Sequence, residues 1–153
     1  MSFRHLAREI VVQALFAWDM RGQEPDQQQE HFDFSIDRFS GKIPDQDFPS
    51  SLYNGVIKKI DVIDDIIGKA APQWPLNRIA PVDRNILRLG IYELLFSGNG
   101  DVPPRVAINE SIELAKTFGS KNSYKFVSGV LGSIFEASPR KAQDDEEKQK
   151  PKK

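Results

Sequence analysis

Apolar residues in this chain recur at three or four residues in every apolar segment and nowhere alternate in twos, which confines the fold to helices. The clearest run is Phe48, Leu52, Val56, Ile60, Ile63 and Ile67, spaced at 4, 4, 4, 3 and 4. That is the period of one helix face, and it predicts the longest helix of the chain, ending near Ala70-Ala71-Pro72. Phe3, Ala7, Ile10, Val11, Ala14 and Trp18 predict a helix over about 3–20, with Ser2 as N-cap and Gly22 and Pro25 as stops. Phe32, Ile36 and Phe39 repeat the pattern weakly over 27–39, before Gly41 and Pro44.

Pro81 suits the first turn of a fourth helix carrying Val82, Ile86, Leu87, Leu89, Leu94 and Leu95, which Ser97-Gly98-Asn99-Gly100 breaks. Pro103-Pro104 opens a fifth, helical over Val106 to Phe118 with Gly119 as its C-cap. The last helix runs from about Asn122 to Glu136 through Val127, Val130, Leu131 and Ile134. Six helices therefore predict an all-α domain over 1–136, with bundle halves at about 1–71 and 76–136 divided by the Pro72 to Pro75 segment. From Ala137 to Lys153 no large apolar residue occurs, and composition predicts a disordered, charged tail.

A chain of 153 residues that is 39% hydrophobic can bury the core of one domain or two small packed halves. The absence of cysteine removes disulfides, thiolate metal sites and thiol nucleophiles together, and is compatible with a cytoplasmic setting. No stretch approaches the roughly 18 to 20 apolar residues of a membrane span, and the charged start Arg4-His5 with Arg8-Glu9 is unlike an export signal. Net charge is −1, but unevenly spread. Seven acids crowd residues 24–47, whereas 114–126 carry Lys116, Lys121 and Lys125 and no acid, so the surface should be polarised.

Chemistry-bearing patterns are sparse. His5 and His31 lack partners at ligand spacing and read as surface residues. Asp61, Asp64 and Asp65 share one helix face and could hold Mg²⁺, but a solvated face opposite Ile60, Ile63 and Ile67 explains them as well. No catalytic or metal constellation emerges. On the first helix, Val12 and Phe16 fall nearly opposite the apolar stripe, so either that helix is sandwiched or the pair marks a partner site. On the last helix, Phe126 sits at the rim of the core stripe beside Lys121, Asn122 and Lys125. That combination suits stacking on an unpaired base with phosphate contact; a Phe folded down onto a neighbouring helix is the other reading.

The ordered run Arg78-Ile-Ala-Pro-Val-Asp-Arg-Asn-Ile-Leu-Arg-Leu-Gly-Ile-Tyr-Glu-Leu-Leu95, followed by Asp101-Val-Pro, Val106-Ala-Ile-Asn-Glu110, Glu113-Leu-Ala-Lys116, Phe118-Gly119 and Lys125-Phe-Val-Ser-Gly-Val-Leu-Gly132, resembles the NusB family of bacterial transcription antitermination factors. Ala7-Arg8-Glu9 and Val12-Gln-Ala-Leu-Phe16 are similar to that family's first helix, and the resemblance covers about 3–136. It implies two packed three-helix bundles, no enzymatic activity and no cofactor. It also implies a partnership with the ribosomal protein NusE, binding of the pair to single-stranded boxA RNA, and assembly on RNA polymerase with other Nus factors in ribosomal RNA operons. Position by position, it places Arg4, His5, Arg8, Lys121, Asn122 and Phe126 on the RNA face, to which helical phase adds Lys125, and Phe16 and Asp83 on the NusE face.

Two departures stand out. Leu6 occupies a site often basic in the family, which implies weaker RNA affinity, and Ser128 replaces an asparagine. Other readings are the similar helical domain of ribosomal RNA cytosine methyltransferases, which is followed by a long cofactor-binding domain, a small Mg²⁺ enzyme built on the three aspartates, and a protein-only helical adaptor.

Overall fold

The computed structural model describes residues 3–39, 41–97 and 102–141, which hold seven α-helices and no strand. Helix α1 (Phe3–Met20) follows its apolar stripe to the residue. It ends because Gly22 and Gln23 adopt left-handed backbone, with φ of 86° and 58°. Their amides turn back to the carbonyls of Asp19 and Trp18 at 3.1 and 2.9 Å, which satisfies the helix end. The expected N-cap Ser2 lies outside the described residues, as do 98–100 of the break after Ser97.

A single turn of 3₁₀ helix at Pro25–Gln27 leads into α2 (Gln28–Asp37), which buries Phe32 and Ile36. The long helix expected from Phe48 to Ile67 is two helices, α3 (Asp47–Lys58) and α4 (Ile60–Ala70), and α1 is the longest. The spacing alone does not call for a break, because Leu52, Val56, Ile63 and Ile67 would fall within about 60° of one another on one continuous helix. The chain nonetheless turns at Lys59, with Leu52 and Val56 buried before it and Ile63 and Ile67 after it.

Helix α5 (Pro81–Ile91) starts with Pro81 in its first turn and widens into a π turn over Tyr92–Phe96. It touches α1, α3, α4, α6 and α7, and it is buried nearly all round. At Gly90 a β-carbon would come within 2.6 Å of Ser111 Oγ and 3.0 Å of Leu131 Cδ1, so the missing side chain lets α6 (Pro104–Phe118) and α7 (Ser123–Glu136) close onto α5. Helices α6 and α7 pack as a hairpin. The expected C-cap Gly119 is extended (φ −90°, ψ −175°) rather than left-handed, and it is glycine because a β-carbon would meet Ser123 and the Ala115 carbonyl.

Helix α1 packs on α2 and α3 on one side and on α5 on the other. This decides for the sandwich at Val12, which is 2% exposed, while Phe16 is half-buried. Helices α1 and α5 run antiparallel, with Arg8 on Glu93 at one end and Asp19 on Arg84 at the other.

Of the three aspartates of α4, Asp61 and Asp65 are exposed, as a solvated face requires, whereas Asp64 is half-buried. Asp64 takes a two-pronged bond from Arg88 at 2.8 and 2.9 Å, tying α4 to α5. Asp65 pairs with Lys69 at the surface, and the described residues hold no metal-ligating cluster. Of the stretch expected as a tail, 137–141 are described. There Arg140 donates to the carbonyl of Leu94, within the π turn, and to that of Val102, just before α6, at 2.9 and 3.0 Å, tying the two segments together.

Candidate nucleic-acid interface

The residues expected to meet RNA fall into two groups held by different elements. The first is the start of α1. Arg4 is exposed, with its guanidinium 4.5 Å from the centre of the Phe48 ring of α3. His5 is half-buried rather than a free surface histidine: Nδ1 lies 2.7 Å from Glu110 of α6 and Nε2 lies 3.3 Å from Glu9. Arg8 is 2% exposed. Its Nε and Nη2 donate to the two carboxylate oxygens of Glu93 at 2.7 and 2.8 Å, so its guanidinium faces the interior. Burial works against the Arg8 charge, but the bonds to Glu93 and the charge of Glu110 outweigh it and raise its pKa. The other histidine, His31, is also half-buried, with Nε2 lacking a hydrogen-bond partner.

The second group surrounds the start of α7. A tight turn, in which the Ser120 amide donates to Ser123 Oγ at 2.8 Å, presents Lys121 and Asn122 to solvent. Lys125 is exposed one turn on and lies 5.9 Å from the Tyr124 ring, which Lys116 of α6 also approaches at 5.5 Å. Phe126 is half-buried, at the rim where helical phase puts it. It packs partly on the core, so each of the two sequence readings describes part of its surface.

Sequence reasoning missed the neighbour of Phe126. Trp74, 54% exposed in the segment between α4 and α5, meets the Phe126 ring edge to face, with centroids 6.4 Å apart and planes at 80°. A large aromatic flanked by Pro72 and Pro75, outside any periodic segment, was the available signal. The two rings border a cleft of about 220 Å³ that Arg78, Asp83 and Asn122 also line.

Of the pair expected to face NusE, Asp83 thus lies in the cleft with Phe126 and Asn122, and is 8% exposed. Phe16 lies one turn before Asp19, toward the same end of the α1–α5 pair as Asp83. Asp19 anchors that end, receiving bonds from Arg84 at 2.7 and 3.0 Å and from Asn85 at 3.1 Å, with Arg88 3.0 Å away. Burial opposes its ionised form, yet hydrogen bonds from Gln23, Arg84 and Asn85 and the charge of Arg88 prevail and hold its carboxyl below the usual range.

No helix among the described residues is long and apolar enough to cross a membrane. The NusB family profile matches residues 5–136. The transcription antitermination protein NusB of Desulfitobacterium hafniense is 41% identical over 141 residues, covering 90% of this chain and 91% of that protein. The T. maritima NusB structure superposes with a TM-score of 0.79 at 34% identity, over 94% of this chain and 98% of that one. A crystal structure of antitermination factors NusB and NusE in complex with dsRNA matches with a TM-score of 0.76 at 30% identity, over 90% of this chain and 99% of that one. On that coverage the chain belongs to the NusB family, whose members are transcription antitermination proteins and not enzymes.

Proposed function

We propose that this chain pairs with ribosomal protein NusE and binds single-stranded, boxA-like RNA, supporting processive transcription of ribosomal RNA operons within an RNA polymerase complex that includes other Nus factors, in the cytoplasm. The observation that carries this is the start of α7. There Lys121, Asn122 and Lys125 are exposed around a rim phenylalanine set against an exposed tryptophan. Cations beside accessible ring surface suit unpaired bases, because a base inside a duplex offers no free face. The similar NusB protein solved with NusE and dsRNA supports NusE and RNA as partners, and the single-stranded form rests on the aromatic rim alone.

The RNA-binding residues of this proposal are Lys121, Asn122, Lys125 and Phe126 at α7, with Arg4 and His5 at α1. Arg8 belongs with them as a support: its guanidinium stands 5.4 Å from the Phe48 ring that Arg4 also covers, and its bonds to Glu93 fix the helix that presents Arg4. Phe16 is proposed for the NusE contact together with Asp83, toward one end of the α1–α5 pair. The working unit is the 1–136 domain, its halves at about 1–71 and 76–136 meeting where α1 and α4 pack on α5.

The test is a titration with a boxA-like oligonucleotide and with NusE, separately and together, over a range of salt. Few cations converge on this surface, so the chain alone should bind RNA weakly and NusE should tighten it. With about three to five phosphates neutralised, log K should fall with log salt at a slope of about −2 to −4. Tight, salt-insensitive binding by the isolated chain, or no gain from NusE, would overturn the proposal.

A further inference from the structure

The first turn of α7 carries an aromatic ring on each of two sides. Tyr124 and Phe126 are two positions apart, about 200° round the helix, so the side that carries Tyr124 points away from the Phe126 cleft. There an open pocket of about 430 Å³ lies between α6 and α7, lined by Lys116, Gly119, Ser120, Lys121 and Tyr124. The Lys116 ammonium stands 5.5 Å from the Tyr124 ring centre and that of Lys125 5.9 Å, so two cations share one ring near a third, Lys121. Their charge is almost unopposed. Residues 114–126 contain no acid, and among the described residues the one carboxylate within ion-pair reach of these lysines is Glu113. It lies 3.6 Å from Lys116 with both side chains more than half exposed, and an exposed pair of that kind holds weakly. Three cations so gathered repel one another, and an anion seated among them removes that repulsion.

We propose that this pocket seats a backbone phosphate of the RNA strand, with Lys116 as its principal cation and Glu113 as an internal competitor that the phosphate displaces; the proposal rests on the reading of the chain as a single-strand RNA binder. Continuity favours a phosphodiester over the carboxylates of an acidic protein. Ser120 lines both this pocket and the Phe126 cleft, so a strand that crosses the 120–122 turn sets a base against Phe126 and a phosphate between Lys116 and Lys121. Lys121 and Asn122 are exposed on that crossing. Tyr124 is a positioning residue: its ring attracts the ammonium groups of Lys116 and Lys125 and gathers two long side chains at one place. Glu113 sets the strength of the seat. Its carboxylate must give up Lys116 before the phosphate takes it, so it holds RNA affinity down.

The experiment uses the full chain at low salt, with fluorescence anisotropy of a labelled single-stranded boxA-like oligonucleotide. Lys116→Gln should weaken binding about fivefold and lower the salt slope by about 0.7, the share of one phosphate on a single strand. Glu113→Gln should do the reverse and tighten binding severalfold. In the double variant that gain should vanish, because Glu113 acts through Lys116. Tyr124→Phe, which keeps the ring, should bind as the native chain does, whereas Tyr124→Leu should bind severalfold more weakly. Urea midpoints check that each variant remains folded, and the exposed Lys116 and Glu113 decide the matter by themselves if Tyr124→Leu does not fold. Native affinity and slope in folded Lys116→Gln overturn the phosphate seat while sparing the single-strand reading; no binding of the strand by the native chain removes both. A gain from Glu113→Gln that persists without Lys116 reduces the effect to diffuse charge and overturns the seat as well. Saturable binding of inorganic phosphate in calorimetry, or NusE affinity, that Lys116→Gln abolishes while RNA binding stays unaltered gives the pocket to a small anion or to a protein and overturns the proposal.

Discussion

Arg8 of α1 and Glu93 of the π turn face each other as a planar two-pronged pair, 2.7 and 2.8 Å apart, each 3% or less exposed at the side chain. The pair clamps one end of the antiparallel α1–α5 contact. Removing one member leaves the other charge buried without compensation, so Arg8→Ala or Glu93→Ala should each cost about 3–5 kcal/mol. Replacing both with apolar residues of similar volume, Arg8→Met with Glu93→Leu, should come within about 1 kcal/mol of the native chain or exceed it. Urea midpoints of the three variants check this, and additive losses in the double variant would show that the clamp is not an ion pair in energetic terms.

The contrast between Arg4 and Arg8 gives a second prediction. Arg4 is exposed and its neighbour in the structure is an aromatic ring. Arg4→Ala should therefore leave the urea midpoint nearly unchanged and lower the salt slope of RNA binding by about 0.7, the contribution of one phosphate on a single strand. An unchanged slope would remove Arg4 from the RNA face.

Asp19 sets the acid limit of the other end of the same helix pair. Its folded pKa lies below its unfolded value because Gln23, Arg84, Asn85 and Arg88 favour the ionised form more than burial opposes it. The stability this supplies is fully present above the unfolded value, about 3.9, and is lost as pH falls through the folded value. Asp19→Asn should cost about 2 kcal/mol at neutral pH, the scale of hydrogen bonds to a charged group. The gap between variant and native chain should narrow steadily below about pH 4. A gap independent of pH would assign the loss to packing instead.

What could be read from the sequence divides along the line between local and tertiary causes. The limits of α1 and the Pro starts of α5 and α6 are local, written in apolar phase and in residues that stop or begin a helix, and they match the structure. The break at Lys59 was hidden because the apolar residues on both sides keep a helical spacing; the neighbours decide where the stripe must point. Asp64 looked like a solvated acid because Arg88, its partner, lies 24 positions away on another helix. At the candidate site, the rim position of Phe126 followed from phase alone. Trp74 was missed because a segment between prolines has no period from which to read a facing direction, and only the fold of α4 against α5 and α7 brings it to Phe126.

Arg140 tests how far the folded domain extends past α7. Its two bonds link the Leu94 carbonyl of the π turn to the Val102 carbonyl just before α6. Arg140→Ala should cost about 1.5–3 kcal/mol, as expected for hydrogen bonds from a charged donor. Arg140→Lys, which cannot span both carbonyls with a planar fork, should recover only part of it. A loss below about 0.5 kcal/mol in thermal or urea unfolding, the scale of an ordinary surface substitution, would place Arg140 outside the cooperative unit.

The aromatic pair at the cleft can be tested without a label. The chain has two tryptophans, of which Trp18 is 3% exposed with its Nε1 donating to the Glu24 carbonyl, while Trp74 is 54% exposed beside Phe126. In a Trp18→Phe background, emission reports on Trp74 alone. Addition of boxA-like RNA should quench it as a base enters the cleft, and the quenching curve should match the binding curve measured by anisotropy. Phe126→Ala should weaken RNA binding by about 1–3 kcal/mol, the range for one lost stack. Its effect on stability should be near 1 kcal/mol, because Phe126 is only half-buried and full burial of such a ring contributes about 1.5–3 kcal/mol. The comparison separates the two surfaces of this residue. A stability loss of about 3–5 kcal/mol, the cost of a cavity in a closed core, with RNA affinity and Trp74 quenching unaltered in the folded fraction, would make Phe126 a packing residue and leave the cations of α7 to bind RNA without it.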